Sequence, residues 1–160
     1  MQITASAVSL NVEDVAASSA FLTEHFGFRQ EMAADGFASL SREDTAMNVV
    51  FLRRGLETLP DDQRDNHATG LILAFTVEDL EGELARLRAE GAAITMPLTV
   101  EEWGERAFQV TDPNGIIIQL MDWAARPENS AQPSESSSQG VASGLEPPKG
   151  RGRPPSCSPP

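Results

Sequence analysis

The sequence predicts an α+β protein made of two tandem β-α-β-β-β modules whose mixed sheets form open cups. Three observations predict it. Leu10-Asn-Val-Glu-Asp-Val15 recurs 65 residues later as Phe75-Thr-Val-Glu-Asp-Leu80. Each copy follows a run of alternating large and small residues, the mark of a half-buried strand. Each copy also leads into a helical stripe that stops at a glycine, Gly27 in the first and Gly91 in the second.

The elements follow in order. In the first strand Val8, Leu10 and Val12 share a face opposite Ala7, Ser9 and Asn11. In its repeat Leu73, Phe75 and Val77 oppose Ile72, Ala74 and Thr76. The larger faces should meet a helix, leaving the smaller ones to line the cup. Each Val-Glu-Asp then opens a helix, with acidic groups placed well for its N-terminal end. Val15, Ser19, Leu22 and Phe26 form the apolar stripe of the first, and Leu80, Leu84 and Leu87 that of the second. Three strands should follow each helix: Arg29–Met32, Gly36–Ser41 and Ala46–Arg53, then Ala93–Met96, Arg106–Thr111 and Ile116–Asp122. Asp112-Pro-Asn-Gly115 is a turn signal between the last two. The modules therefore span about residues 1–55 and 69–123, with an Asp-rich linker at 56–68. After Trp123 the composition turns to Pro, Ser, Gly, Ala and Gln, so residues 124–160 read as a disordered tail, too poor in apolar surface to offset its ordering entropy.

Composition excludes several classes. The chain has 160 residues, 12 Lys and Arg against 24 Asp and Glu, and a net charge of −12. The eight Arg and 21 Asp and Glu of residues 1–123 leave that part at −13. Such a field repels phosphate backbones and anionic bilayers, so neither nucleic acid nor membrane is an expected partner. No run approaches the roughly 20 apolar residues of a membrane span, and the N-terminus lacks the basic and apolar regions of a signal peptide. The lone Cys157 makes no internal disulfide, and a cytoplasmic location is expected.

One segment is more specific. Trp103-Gly-Glu-Arg-Ala-Phe-Gln-Val-Thr-Asp-Pro-Asn-Gly115 runs into Ile-Ile-Ile-Gln-Leu120. With the repeated Val-Glu-Asp junction, it resembles the vicinal oxygen chelate superfamily of glyoxalases, bleomycin-resistance proteins and extradiol dioxygenases. The resemblance covers about Ile3 to Trp123. It implies paired modules with cup-shaped sheets and a homodimer; in drug-binding members the cup is often assembled by arm exchange. It also implies, for the enzymes, a divalent metal held by His, Glu or Gln at matching places in the first and last strands of each module. Here those places fall on Ala7, on Ile72, on Gln119, and on Asn48 or Val50. A divalent metal needs several converging lone-pair donors, and these residues supply few. The two histidines, His25 and His67, fall on a helix and on the linker. No metal, cofactor or catalytic residue is therefore expected. Neither a nucleophile elbow nor a phosphate loop is present. Glu101 and Glu102 flank Trp103, either as an acid–base pair or as part of a solvated hairpin.

The same substitutions open an apolar cup, as ligand pockets generally are. Ser9, Asn48 and Gln119 are the candidates for orienting a ligand, with Val50 and Met121 as lining. Trp103 either stacks on a planar or cationic ligand or packs its hairpin or a dimer contact. Phe37 and Phe108 lie on flanking strands, where a one-residue change of register exchanges lining for core. Arg106 either pairs with a nearby Glu or meets the ligand. The expectation is a homodimer that binds and sequesters a small molecule, cationic or planar aromatic, such as an antibiotic; the alternative is a metal-dependent lyase, isomerase or dioxygenase with an atypical site.

Overall fold

The structure, a computed structural model, describes residues 1–123. The expected tail lies outside the described residues. The elements run β1 (Ala7–Val12), α1 (Val15–Phe26), β2 (Arg29–Ala34), β3 (Phe37–Ser41), β4 (Asn48–Arg53), then β5 (Ile72–Thr76), α2 (Leu80–Ala89), β6 (Ile94–Val100), β7 (Glu105–Thr111) and β8 (Ile117–Trp123). They form two four-stranded mixed sheets of the same topology, β1-β4-β3-β2 and β5-β8-β7-β6. This is the expected pair of tandem modules. In each, the first strand lies parallel to the last and the other pairings are antiparallel. No helix among the described residues is long and apolar enough to cross a membrane.

Both repeated Val-Glu-Asp segments end in an N-cap. Asp14 Oδ1 accepts from Ala17 N at 3.0 Å, and Asp79 Oδ1 accepts from Gly82 N at 2.9 Å. Each carboxylate thus satisfies an amide that the first helical turn leaves without a partner. Gly27 closes α1 at φ 64°, where a side chain would be strained.

Two strands are longer than the periodicity suggests. β2 continues past Met32 to Ala34, with a register shift between Gln30 and Met32. β6 continues through Pro97 to Val100, also with register shifts. Both are outer strands, where a missing ladder donor or a bulge is tolerated.

The alternation places the core as read. Leu10, Val12, Val49, Phe51, Leu73, Ile118 and Leu120 are buried with Leu22, Phe26, Leu80, Leu84 and Leu87 of the helices in one continuous cluster. That cluster joins the modules: Phe75 of β5 lies with its ring centroid 6.1 Å from Phe26 and 5.9 Å from Phe28. A polar seam runs beside it. Asp112 in the β7–β8 turn is buried and accepts from Asn114 N, Ile116 N and the Ser18 hydroxyl of α1. The Asn114 side chain accepts from Asp14 N at 3.0 Å and donates to Asp14 O at 2.6 Å. His67 Nε2 donates to Asn114 O at 2.6 Å, so this linker histidine has a structural partner.

Candidate functional site

Because helices cover one face of each sheet, the opposite faces are left open. On the first sheet Ala7 pairs with Asn48, Ser9 with Val50, and Asn11 with Leu52, which in turn pairs with Phe37. Ser9, Phe37, Asn48 and Val50 therefore share one open face; Ser9 is exposed and the other three are half-buried. On the second sheet Ala74 pairs with Gln119 and Thr76 with Met121. Gln119 and Met121 share that sheet's open face with Ala107 and Gln109, their partners on β7.

Phe108 does not join them. It pairs with Leu120 on the opposite face and is fully buried. The strand period of two turns it toward the helix layer, so Phe108 is core and leaves the set of lining residues. Arg106 also points that way, where Asp122 and Glu81 bind it. These carboxylates raise the already high pKa of the guanidinium, Asp122 more than Glu81. His25 is similarly engaged: its Nδ1 meets Glu90 Oε2 at 2.8 Å, which together with Arg86 holds the Glu90 carboxyl below its ordinary range.

The ladder fixes the register that the sequence leaves open. Ser9 and Ala74 occupy the same place in the repeat; Ser9 pairs with Val50 and Ala74 with Gln119. The counterpart of Gln119 is thus Val50, not Asn48. The four positions to which the resemblance assigns the enzymes' metal ligands then carry Ala7, Val50, Ile72 and Gln119. Gln119 alone has a donor atom in its side chain, and its Oε1 already accepts from Gln109 Nε2 at 2.8 Å. Among the described residues no three His, Cys, Asp or Glu side chains converge. These residues do not fit a divalent metal.

Gln119 belongs to a short chain of hydrogen bonds. Its Nε2 donates to Glu105 Oε1 at 3.3 Å, and Glu105 Oε2 accepts from the Trp103 indole N–H at 3.1 Å. Trp103 precedes β7 and is 65% exposed. Glu105, which the sequence reading passes over, links Trp103 to Gln119. The alternation of β7 carries the missed signal, since Glu105 and Gln109 fall on one face. Glu101 and Glu102 are exposed in the turn, the solvated position expected of hairpin residues.

A cavity of about 900 Å³ opens beside the outer strand β5, floored by Phe26, Phe28 and Phe75 and rimmed by Arg42, Met47 and Ile72. Arg42, one of its lining residues, donates to Phe26 O at 2.6 Å and to both oxygens of Asp44. None of the eight candidate side chains lines this cavity. It arises from the packing of one module on the other, which strand periodicity does not report.

The family model of the glyoxalase/bleomycin resistance protein/dioxygenase superfamily matches residues 4–120. Among curated proteins, none matches the chain. Solved structures share the fold. A glyoxalase/bleomycin resistance protein/dioxygenase from Nocardioides is 17% identical, with a TM-score of 0.61, over 86% of this chain and 91% of that one. TioX from Micromonospora sp. ML1 is 24% identical, with a TM-score of 0.58, over 76% of this chain and 99% of that one. A superfamily member from Sphaerobacter thermophilus is 19% identical, with a TM-score of 0.59, over 75% and 97%.

Proposed function

Since this chain belongs to the glyoxalase/bleomycin resistance protein/dioxygenase superfamily, we propose that it binds and sequesters a small-molecule antibiotic or toxic natural product without chemistry, and so confers resistance. The ligand sits on the open sheet faces, in a cup completed by a second copy of the chain. The observation that carries this reading is the side-chain set at the metal positions. Ala7, Val50 and Ile72 have no donors, and the amide oxygen of Gln119 is already bonded to Gln109. The same face offers what an organic ligand needs. Ile72 and Trp123, at opposite ends of that face, and Trp103 beside it are large, apolar and about half exposed or more, and exposed apolar side chains of this kind favour an organic ligand. The Gln109–Gln119–Glu105 bonds supply the few polar groups that fix orientation.

Two measurements test the reading together. Elemental analysis of the protein, purified without chelator and then offered Zn, Ni, Mn and Fe, should find no stoichiometric metal. Titration with bleomycin-type and planar aromatic antibiotics, followed by Trp fluorescence and chromatography, should show saturable binding and release of unaltered ligand. One metal per cup with metal-dependent turnover of the ligand would replace the binder by a lyase, isomerase or dioxygenase.

A further inference from the structure

The open face of the first sheet is closed at one end. Its rungs run Ala7–Asn48, Ser9–Val50 and Asn11–Leu52. Ser9 is exposed and Val50 half-buried, but Asn11 is only 8% and Leu52 5% exposed. The repeat supplies the comparison. Thr76 and Met121 hold the matching rung of the second sheet, and there Thr76 is exposed and Met121 half-buried. Side chains alternate between the two faces of a strand, so a buried leucine turned away from the helices needs another cover.

That cover is the segment between the modules. Arg64 O accepts from the Asn11 side-chain amide at 3.4 Å and from Gly55 N at 2.8 Å. Because the Asn11 side chain lies on the open face, the first bond sets the Arg64 backbone over that face. Both flanks are tied to the end of β1: Arg54 N donates to Val12 O at 3.1 Å, and Ala68 N to Asn11 O at 2.8 Å. Residues 56–64 thus form a strap. Arg64 gathers it, donating to Leu59 O at 3.4 Å and pairing with Asp61. The strap's two leucines, Leu56 and Leu59, are half-buried, while Glu57, Asp61 and Asp62 stay exposed.

We infer that this strap is a specificity-determining end wall. It stops a bound ligand at Asn11 and leaves only the rungs of Ala7 and Ser9 on the first sheet. At a rise of about 3.3 Å per residue, those two rungs give about 7 Å of strand, the length of one substituted ring. On the second sheet Ile72, Ala74 and Thr76 are all exposed, so that face is open along the whole of β5. The ligand is a lopsided organic molecule, with a short, ring-sized end on the first sheet and its longer part on the second. This rests on the small-molecule binding reading and sets the size of molecule that the site accepts.

The ends of the strap stand together at the Gly55–Arg64 bond, so three glycines can replace residues 56–64. The wild-type full chain and this glycine-linked chain are titrated with 6-propionyl-2-dimethylaminonaphthalene and with its 6-hexanoyl homologue, read by the fluorescence of the dye. Both probes are uncharged, and they differ by three methylenes. The glycine-linked chain should favour the longer probe about tenfold more than the wild type does, roughly half of the full transfer gain of three methylenes. The affinity for the propionyl probe should not change. Should that chain fail to fold, Arg64→Ala undoes the clasp on Leu59 and Asp61. It also removes an Nε–H that is buried without an acceptor among the described residues. It should show part of the same shift, with faster hydrogen exchange at the Gly55 amide. The same preference in wild type and variant, or a loss of affinity for both probes when the strap is removed, would overturn the end wall and leave the binding reading standing. No binding of either probe to the wild type would overturn both.

Discussion

Phe108 and Gln109 are consecutive residues of β7 with opposite fates. Phe108 is fully buried among helix-facing side chains, whereas Gln109 is half-buried on the open face and bonded to Gln119. A one-residue difference in register exchanges these roles, which is why periodicity alone left Phe108 undecided between core and lining. Pairing with Leu120 decides it. Phe108→Ala should therefore act on stability, lowering it by about 3–5 kcal/mol as a large buried ring is lost. Urea denaturation measures this. The affinity of the folded variant for an open-face ligand should remain that of the wild type; a selective loss of affinity would return Phe108 to the site. Glu105 is the converse case. Its residue type suggests only a solvated charge, and its place between Trp103 and Gln119 emerges from strand pairing and a turn conformation that composition does not encode.

At the scale of elements, the helices and the inner strands were legible because their signals are local. An acidic N-cap, an apolar stripe and a glycine stop bracket α1 within 14 consecutive residues, Asp14 to Gly27. The periodicity predicts β2 and β6 shorter than they are, because Pro97 and the bulge near Met32 weaken the ladder without ending it. What joins the modules was not legible. The Asp112-Pro-Asn-Gly115 motif reads as a turn, and it is one, but it also binds the start of α1 in the other module, about a hundred residues away in sequence. Such contacts have no local periodicity. Asn114 makes them through side-chain bonds to the Asp14 backbone and to Ser18. Asn114→Ala should therefore destabilise the domain by about 1 kcal/mol, since its two bonds to the Asp14 backbone are exposed and only the third reaches the buried Ser18 hydroxyl. Equilibrium unfolding by circular dichroism reads the loss. A variant as stable as the wild type would mean that the apolar cluster of Phe26, Phe28 and Phe75 and the remaining polar links, among them Ser18 to Asp112, hold the modules together without the Asn114 side chain.

At the scale of the whole molecule, the modules share one core, and that core is where the chain spends its helices and most of its large side chains. Apart from the strap at Asn11, the open faces are left without a protein layer among the described residues. Ile72 is 49% exposed on the outer strand β5, which has a sheet neighbour on one side only. An outer strand of this kind, with apolar side chains on its open face, invites a second chain unless charge or a bulge protects it. β5, Ile-Leu-Ala-Phe-Thr, carries no charged residue. In the proposed dimer a second copy would supply the missing layer, and by symmetry the same surface would be used on both chains. The chain has a mass of 17.2 kDa, so light scattering at micromolar concentration should return about twice that value, as expected of a two-fold dimer. Ile72→Glu places a carboxylate on the open face of β5 and should shift the protein toward the monomer without unfolding it, because Ile72 is not part of the core cluster. The same variant should lose ligand affinity in step with dimer dissociation if the cup draws on both chains. A wild type that stays monomeric, or an Ile72→Glu monomer that binds as tightly as the wild type, would show instead that each chain carries a complete site of its own.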